Sequence, residues 1–444
     1  MKVNILVEPK ESMFDTAVDI TVVDLLPYQL ITLHSCAQSD SKQIFECVAQ
    51  YVADDQGCIN LKRDKSVGGC YVGCQPMGLF WAMKPSLDNQ MPNARMAKIH
   101  VTTPMVVTIT AYHSKINSIQ EAAMMRKEGK LKEIELACTT VNRLFMSPGT
   151  RRIPLLMEKD GITGTLFIPS GKGPFPGVVT MFGGYPGTME SKASLLASHG
   201  FAALALAFYG LPGLPEFQIY QNLELEYFEK AIKLLSEYPA VDFKRGIGVI
   251  GLSFSSFIVL TMGERLKDVK CVISINGFHY PMWGTISYKG KVYEKQNFDP
   301  KPHQTFSDLF GDQARNLYPK HMDPLHADLE ASRIKFYNCH DVAFMLIASL
   351  DDKSVPAEYY VNQAEKLFKM SKHPNYRILR YPGAGHLLEP CYGSHHHETY
   401  QKLFQSSQVW GGEMIAHCKA QEHAWKQQID FLKTTLSSSC FSKL

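Results

Sequence analysis

Several features that would place a protein in a membrane, outside the cell or on nucleic acid are missing from this sequence. It has no run of about 18 uncharged apolar residues, which a membrane-spanning helix needs, so we expect no membrane span. The N-terminal segment lacks the apolar core and cleavage site of a secretory signal. The net charge is only +3 in 444 residues, so we expect no nucleic-acid partner.

The cysteines and histidines lack the pattern of a disulfide framework or a metal site. The 11 cysteines are odd in number and scattered, which is typical of reduced thiols inside a cell. Cys70 and Cys74 lie four residues apart, but no second pair completes a set of zinc ligands. The side chains of His395, His396 and His397 are adjacent and do not easily converge on one ion. We therefore expect neither a metal nor another cofactor.

The pattern of apolar residues changes near residue 140, and a chain of this length is expected to form two or three domains. Residues 1–140 contain short β-rich runs separated by Pro, Gly, Asp and Asn. Their spacing predicts an antiparallel, immunoglobulin-like sandwich of about seven strands. The charged segment 124–135 is interpreted as the approach to the second domain. The runs are VNILVEP, VDITVVDL, QLITLHSCA, IFECVAQYVA and HVTTPMVVTITAYH.

Residues 141–436 alternate between apolar strands and helices. Continuous apolar strands separated by helices indicate a mainly parallel sheet that is covered on both faces. The last helix is predicted over residues 415–436. The sequence therefore predicts an all-β sandwich domain followed by an α/β domain and a short tail, 437–444. The predicted strands are ITGTLFIP, GVVTMFGG, FAALALAFYG, GIGVIGL, VKCVISING, VAFMLIASL and YRILRYPG.

A polar residue stands at the abrupt change from buried strand to apolar helix in GIGVIGLSFSSFIVL, residues 246–260. Ser253 lies at this corner, between the small residues Gly251, Ser255 and Ser256. A nucleophile elbow needs small neighbours, because its central residue adopts a positive φ. The usual G-x-S-x-G pattern has glycine where this chain has Ser255, so we expect a slightly narrower turn. A plain helix N-cap is the alternative interpretation of Ser253.

Candidate acid and base residues follow later strands, in the chain order Ser, Asp, His of α/β-hydrolases. The strand in FMLIASLDDKSVP ends in Asp351 and Asp352, either of which can face a histidine or cap a turn. His386 comes shortly after Gly383 and Gly385, in the loop that follows ILRYP. Because function gathers at the carboxyl ends of parallel strands, we expect Ser253, His386 and one aspartate to meet there.

This set of residues predicts serine-hydrolase chemistry. His386 would accept the proton of the Ser253 hydroxyl, and a carboxylate on the other ring nitrogen would fix the imidazole tautomer. Backbone N–H groups must stabilise the oxyanion. We predict the N–H of Phe254 as one donor, and that of Gly184 or its neighbour Gly183 as the second.

Longer stretches resemble the acyl-CoA thioesterase / bile acid-CoA:amino acid N-acyltransferase family over nearly the whole chain. The resemblance implies a β-sandwich followed by an α/β-hydrolase domain that acts on acyl-CoA. The most specific stretches are CYVGCQPMGLFWAMKP (70–85) and VWGGEMIAHCKAQEHAWKQQIDFL (409–432), supported by MFGGYPGTMESKASLLASHGFAALALAFYG (181–210) and YPGAGHLLEP (381–390).

The resemblance also implies roles for single residues. It places the nucleophile on Ser253, the base on His386 and the acid on Asp352, with Asp351 as the neighbour to test. Family members with cysteine as nucleophile tend to transfer the acyl group to glycine or taurine, and those with serine tend to hydrolyse. We therefore expect an acyl-CoA thioesterase. An N-acyltransferase is the alternative, and a non-catalytic acyl-CoA-binding protein is a further one if Ser255 spoils the elbow.

The sequence ends in Ser442-Lys443-Leu444, which is the signal read by the peroxisomal import receptor. We therefore expect this receptor as a partner and the peroxisome as the location. The segment 280–320 is aromatic and basic. It is interpreted either as a lid or contact for CoA phosphates, or as a solvated insertion.

Overall fold

The computed structural model describes residues 2–91, 93–183, 186–216, 222–281, 284–295, 323–401 and 406–437. The chain divides into two compact units. The N-terminal unit comprises Met1–Met146 and Pro390–Ser407, and the C-terminal unit comprises Ser147–Glu389 and Gln408–Leu444. This division falls slightly after the boundary predicted at residue 140. The prediction also contained no return of the chain to the first unit near residue 390.

The N-terminal unit is built on two sheets. One has the order β1-β3-β6, and the other has the order β2-β10-β9-β4-β5-β7 with β8 beside β5. Neighbouring strands are antiparallel except for the parallel pair β2–β10. The predicted β-rich region is therefore confirmed. Its strands are β1 (Asn4–Glu8), β2 (Glu11–Met13), β3 (Asp19–Val23), β4 (Leu30–Gln38), β5 (Ile44–Val52), β6 (Ile59–Asn60), β7 (Gly68–Gly69), β8 (Lys84–Pro85), β9 (Met105–Tyr112) and β10 (Glu135–Leu144).

The segment predicted to lead into the second domain instead belongs to short helices that precede strand β10 of this unit. The helices are α1 (Gly78–Trp81), α2 (Ile119–Lys127) and α3 (Lys130–Glu133). Ser118 caps α2 by accepting a hydrogen bond from the backbone N–H of Glu121. Strand β10 was missed because its sequence, ELACTTVNRL, is only partly buried and lacks an apolar run.

The C-terminal unit contains the α/β sheet that the sequence predicts. The strand order is β11-β12-β14-β13-β17-β18-β21-β22, with β16 beside β13. The strands are parallel from β14 onward, and β12 runs antiparallel to both its neighbours. A separate three-stranded sheet has the order β15-β19-β20. The strands of the unit are β11 (Arg151–Leu155), β12 (Thr163–Ile168), β13 (Phe175–Met181), β14 (Ala202–Ala207), β15 (Leu223–Glu224), β16 (Val241–Asp242), β17 (Ile247–Leu252), β18 (Val269–Ile275), β19 (Ile286–Tyr288), β20 (Lys291–Tyr293), β21 (Ala343–Ser349) and β22 (Tyr376–Tyr381).

Helices cover both faces of this sheet. At Gly248 on β17, an added Cβ would lie 2.8 Å from Leu436 of the last helix, while at Gly251 it would lie 2.6 Å from the Ser255 carbonyl of α7. The two helices therefore press on opposite faces of one strand. The helices are α4 (Met157–Asp160), α5 (Glu190–Ser198), α6 (Leu225–Glu237), α7 (Ser255–Arg265), α8 (Ala357–Met370) and α9 (Met414–Leu436).

Short elements lie between the main strands and helices. Two 3₁₀ turns, Ala327–Leu329 and Phe336–Asn338, precede β21. Strands β23 (Glu398–Gln401) and β24 (Ser406–Val409) precede α9. Across the part of the chain that the structure describes, no helix combines the length and the apolar character needed to cross a membrane.

Candidate active site

Ser253 lies directly after β17 in the backbone conformation expected of a nucleophile elbow. Its φ is +62°, in the left-handed region that side chains rarely adopt. Its N–H donates to the carbonyl of Ile275 at the end of β18, at 2.9 Å. The N-cap of α7 is Phe254, and no side chain caps this helix. Ser253 is therefore not the helix cap that the sequence left open as an alternative.

The hydroxyl of Ser255 contacts the backbone of the elbow. Its side chain is fully buried, and its hydroxyl oxygen accepts a hydrogen bond from the backbone N–H of Leu252 at 2.9 Å. The same hydroxyl lies 3.1 Å from the carbonyl of Leu252 and 3.3 Å from that of Met181, which ends β13. The serine that replaces the usual glycine thus ties the elbow to the neighbouring strand.

The predicted base and acid both reach the elbow. The Nε2 atom of His386 lies 2.9 Å from Ser253 Oγ, and its Nδ1 atom lies 2.7 Å from Asp352 Oδ2. A carboxylate can only accept, so in this arrangement Nδ1–H donates to Asp352 and Nε2 accepts from the serine hydroxyl. His386 and Asp352 are buried, and Ser253 is half-buried. The three side chains form one hydrogen-bonded chain.

The structure separates the two adjacent aspartates. The second carboxylate oxygen of Asp352 accepts from the backbone N–H groups of Ser354 and Val355, each at 2.8 Å. Asp351 instead accepts from the N–H of Gly412 at 2.9 Å and pairs with Lys353 at 2.6 Å. Asp352 therefore faces the histidine, and Asp351 belongs to a neighbouring contact.

The loop that carries His386 is held by residues that the sequence reasoning missed. The backbone N–H of His386 donates to the carbonyl of Trp410 at 2.9 Å, and the two rings stack with centroids 5.5 Å apart. From α9, His417 Nδ1 accepts from the N–H of Gly385 at 3.0 Å, and Gln421 donates to the carbonyl of Leu387 at 3.2 Å. The signal was the spacing of four residues between His417 and Gln421, which places both on one helix face.

The loop after β13 passes directly over the elbow. A Cβ added to Gly183 would lie 2.6 Å from the Phe254 nitrogen and 2.7 Å from Ser253 Cβ, so only glycine fits there. The hydroxyl of Tyr209 donates to the carbonyl of Gly183 and fixes this peptide. Gly184, the predicted second oxyanion donor, lies outside the described residues. The donor role of Phe254 stays a prediction.

Comparison with known proteins gives the family. The model "Acyl-CoA thioester hydrolase/BAAT N-terminal region" matches residues 15–156, and "BAAT / Acyl-CoA thioester hydrolase C terminal" matches residues 223–438. Human acyl-coenzyme A thioesterase 2, mitochondrial, is 33% identical over 96% of this chain and 83% of its own. The chain belongs to the acyl-CoA thioesterase/BAAT family.

Relatives of both activities match this family member about equally well. The bile acid-CoA:amino acid N-acyltransferase of mouse is 31% identical and covers 98% of both chains. The peroxisomal succinyl-coenzyme A thioesterase of mouse is 32% identical over 99% of this chain and 98% of its own. The choice between hydrolysis and acyl transfer therefore has to come from the site.

Other predicted features of this family member lie away from the triad or outside the described residues. His396 accepts a hydrogen bond from the N–H of Met96 at 3.1 Å, within the N-terminal unit. Of the segment 280–320, only 280–281 and 284–295 are described, and the terminal Ser442-Lys443-Leu444 is not described. Among described residues, no three histidine, cysteine or acidic side chains cluster closely enough to hold a metal ion.

Proposed function

We propose that this protein is an acyl-CoA thioesterase, which hydrolyses fatty acyl-CoA to a free fatty acid and CoA through an acyl-serine intermediate. The observation that carries this proposal is the 2.9 Å distance from Ser253 Oγ to His386 Nε2 at an elbow of positive φ. A serine hydroxyl is a weak nucleophile until a neighbouring base accepts its proton, and His386 is in reach to do so.

In the first half of the proposed reaction, Ser253 Oγ attacks the thioester carbonyl while its proton moves to Nε2 of His386. Asp352 keeps Nδ1 protonated and stabilises the imidazolium that forms. Backbone N–H groups, with that of Phe254 as the first candidate, stabilise the oxyanion of the tetrahedral intermediate. Its collapse breaks the C–S bond, and CoA leaves as the thiol with the proton from His386.

In the second half, water replaces CoA next to His386. Nε2 accepts a proton from this water, whose oxygen attacks the acyl-serine ester. The C–O bond to Ser253 then breaks, and His386 returns its proton to the serine oxygen. The products are the free acid and the unmodified enzyme, so no other reactant is consumed.

The nature of the nucleophile favours water over an amine as acceptor. An acyl-cysteine thioester is intrinsically more prone to aminolysis than an acyl-serine ester. An oxygen nucleophile at position 253 therefore favours hydrolysis. The N-acyltransferase from mouse supports conjugation to an amino acid as the second candidate.

The third candidate, a non-catalytic acyl-CoA-binding protein, depended on damage to the elbow by Ser255. The hydrogen bonds of Ser255 to the backbone of Leu252 and Met181 argue against such damage.

We also propose that the protein works in the peroxisome and is carried there by the import receptor that reads Ser442-Lys443-Leu444. A fluorescent fusion with this tripeptide exposed should lose its punctate location when the tripeptide is removed.

The experiment that tests the activity offers purified protein a panel of acyl-CoAs, with and without glycine or taurine, and identifies products by mass. We expect free acid, at a rate that does not depend on the amino acid. Ser253→Ala should form neither product, and Ser253→Cys should shift the products of the same panel towards amide. Amide formation by the wild type that rises with amino acid concentration would overturn the proposal in favour of a transferase.

A further inference from the structure

Asn276 occupies a central position between the elbow and the histidine loop, and no part of the sequence reasoning selected it. It directly follows β18, its side chain is completely buried, and its φ is +47°. Asn tolerates this left-handed conformation better than most residues. Its backbone N–H donates to the carbonyl of Ile347 in β21 at 2.9 Å, which anchors it to the strand that precedes Asp352.

The side-chain amide of Asn276 connects that strand to the histidine loop. Its Oδ1 atom accepts from the N–H of Ser349 at 2.7 Å. Its Nδ2 group donates to the carbonyl of His386 at 2.8 Å and lies 3.0 Å from Ser349 Oγ and 3.5 Å from the carbonyl of Gly385. The orientation of the amide is fixed by these partners, because only the NH₂ side can face two carbonyls.

The residues on either side of Asn276 hold the nucleophile. The carbonyl of Ile275 accepts the N–H of Ser253 at 2.9 Å. Gly277 packs so closely on the elbow that an added Cβ would lie 2.7 Å from the Ser253 carbonyl. Three consecutive residues thus contact the backbone of Ser253, of His386 and of the strand that leads to Asp352.

We propose that Asn276 is a positioning residue, which sets the distance between Ser253 and His386 by holding the main-chain carbonyl of His386. This inference rests on the proposed function, because it assumes that the contact between Ser253 and His386 carries the reaction. Reactivity depends steeply on such distances, and a displacement of about 1 Å can cost about 10²-fold in rate.

Two substitutions test the hydrogen bonds that the side-chain NH₂ group of Asn276 donates, apart from the other properties of this residue. Asn276→Asp keeps the size, the tolerance of positive φ and the acceptor for Ser349, but it places an oxygen against the carbonyls of His386 and Gly385. Asn276→Gly keeps the backbone conformation and removes the whole amide. Ser349→Ala is the matched control, since it removes only the hydroxyl partner of the same amide.

The test measures the second-order rate at which a fluorophosphonate probe labels Ser253, together with kcat and KM for acyl-CoA and the Tm of each variant. A probe that reacts with the serine reports the Ser253–His386 contact even if the natural substrate is another ester. We expect both Asn276 variants to lose about 10²-fold in labelling rate and in kcat with KM nearly unchanged. Ser349→Ala should stay within about threefold of the wild type.

The outcomes separate this inference from the proposed function. Asn276 variants that fold with a lower Tm, but label at the wild-type rate per folded molecule, would overturn the positioning role and leave a structural one. An Asn276→Asp variant as reactive as the wild type would overturn the role of the donated hydrogen bond. Slow labelling of these variants in a protein that does not hydrolyse acyl-CoA would sink the proposed substrate and keep the positioning role.

Discussion

Among the residues that the structure describes, two buried pairs of a carboxylate and a histidine occur, one in each unit. In the N-terminal unit, His34 Nε2 lies 2.9 Å from Glu46 Oε2. In the C-terminal unit, His386 Nδ1 lies 2.7 Å from Asp352 Oδ2. The two contacts have similar lengths, and all four side chains are nearly inaccessible to solvent. What surrounds each pair is different.

Glu46 is shared among several partners in the interior of a sheet. Besides His34 it accepts a hydrogen bond from Ser86 Oγ at 2.6 Å and pairs with Arg126. Burial would raise the pKa of Glu46, but the hydrogen bonds from His34 and Ser86 and the charge of Arg126 outweigh burial and keep it below its usual value. These contacts stabilise the fold and direct no group towards a reacting atom.

The pair in the C-terminal unit differs because its second ring nitrogen meets a hydroxyl on a strained turn. Asp352 is fixed by two backbone N–H groups, and His386 faces Ser253 at positive φ. A buried carboxylate–histidine pair is therefore not in itself the signature of a catalytic site. The elbow supplies what the first pair lacks.

Removal of the Ser253 hydroxyl is expected to have the largest effect on activity. We expect Ser253→Ala to lower kcat/KM for acyl-CoA by about 10⁴-fold or more, because no acyl-serine can form. Since the side chain is small, Tm should change by no more than a few degrees. Steady-state kinetics and a thermal melt check this. A variant with more than about a tenth of the wild-type kcat/KM would show that Ser253 is not the nucleophile.

Loss of the negative charge should reduce activity at Asp352 and stability at Glu46. Asp352→Asn is expected to reduce kcat by about 10³- to 10⁴-fold with little effect on folding, since it favours the wrong imidazole tautomer. Glu46→Gln is expected to lower the free energy of unfolding by about 2–4 kcal/mol and to leave kcat/KM of the folded protein unchanged. Kinetics and urea unfolding on both variants test the contrast.

The stability difference of Glu46→Gln should depend on pH with a defined sign. The folded-state pKa of Glu46 lies below its usual value, so the carboxylate contributes stability above the unfolded pKa. That contribution is lost as the pH falls through the lower, folded-state value. Urea midpoints of the wild type and variant should therefore converge in acid. A difference that grows on acidification would refute the stabilising role of the charge.

The loop over the elbow provides the next largest effect. Gly183→Ala would place a methyl group against the Phe254 nitrogen and Ser253 Cβ, so the loop or the elbow has to move. We expect kcat to fall by about 10²-fold, in line with a displacement of about 1 Å at the reacting atoms. Gly161→Ala is the control for a glycine substitution away from the elbow: unlike Gly183, Gly161 has a positive φ of +70°, and it has nothing near its Cβ position. It should change stability and not kcat.

Restoring the usual glycine at position 255 should lower the free energy of unfolding. Ser255→Gly removes the acceptor for the buried N–H of Leu252 and should cost about 1–3 kcal/mol of unfolding free energy. The familiar pattern alone would suggest a relaxed and more active elbow, so kcat decides between the two views. A variant that is both more stable and more active would show that Ser255 strains the turn.

The smallest predicted effect concerns a buried cation on α5. Burial lowers the pKa of Lys192 to about 8, although the charge of Glu389 acts in the opposite direction. The folded state therefore disfavours the protonated amine below pH 8, and this cost fades as the pH rises towards the unfolded pKa. Lys192→Met should gain about 1–3 kcal/mol at pH 7 and less at pH 10, measured by urea unfolding.

Much of the fold and most of the triad could be predicted from sequence because their signals are local. Apolar strands such as β17 are continuous in sequence, and the elbow is defined by small neighbours of Ser253. The half-polar strand β10 and the return of residues 390–407 to the first unit carry no such signal. They are fixed by partners far away in the chain.

The residues that support the site were harder to find for the same reason. The residue type and the position after β21 do not distinguish Asp351 from Asp352, and only the family resemblance favoured Asp352. The direction of the chain after β21 decides which of them meets His386. Asn276 acts through the backbone carbonyl of His386, 110 residues away in the chain. Trp410 stacks its ring on that of His386. Asparagine and tryptophan are not typical signatures of a hydrolase site, so the role of these two residues can be inferred only from the folded structure.

Trapping the acyl group on the protein tests the proposed acyl-serine intermediate most directly. Wild-type protein is mixed with a long-chain acyl-CoA, quenched in acid during turnover, digested and measured by mass spectrometry. We predict that the peptide containing Ser253 gains the mass of the acyl group, and that the gain decays to free acid at the turnover rate. Acylation at another residue, or rapid release of free acid with no acyl group on Ser253 at any time, would contradict the account.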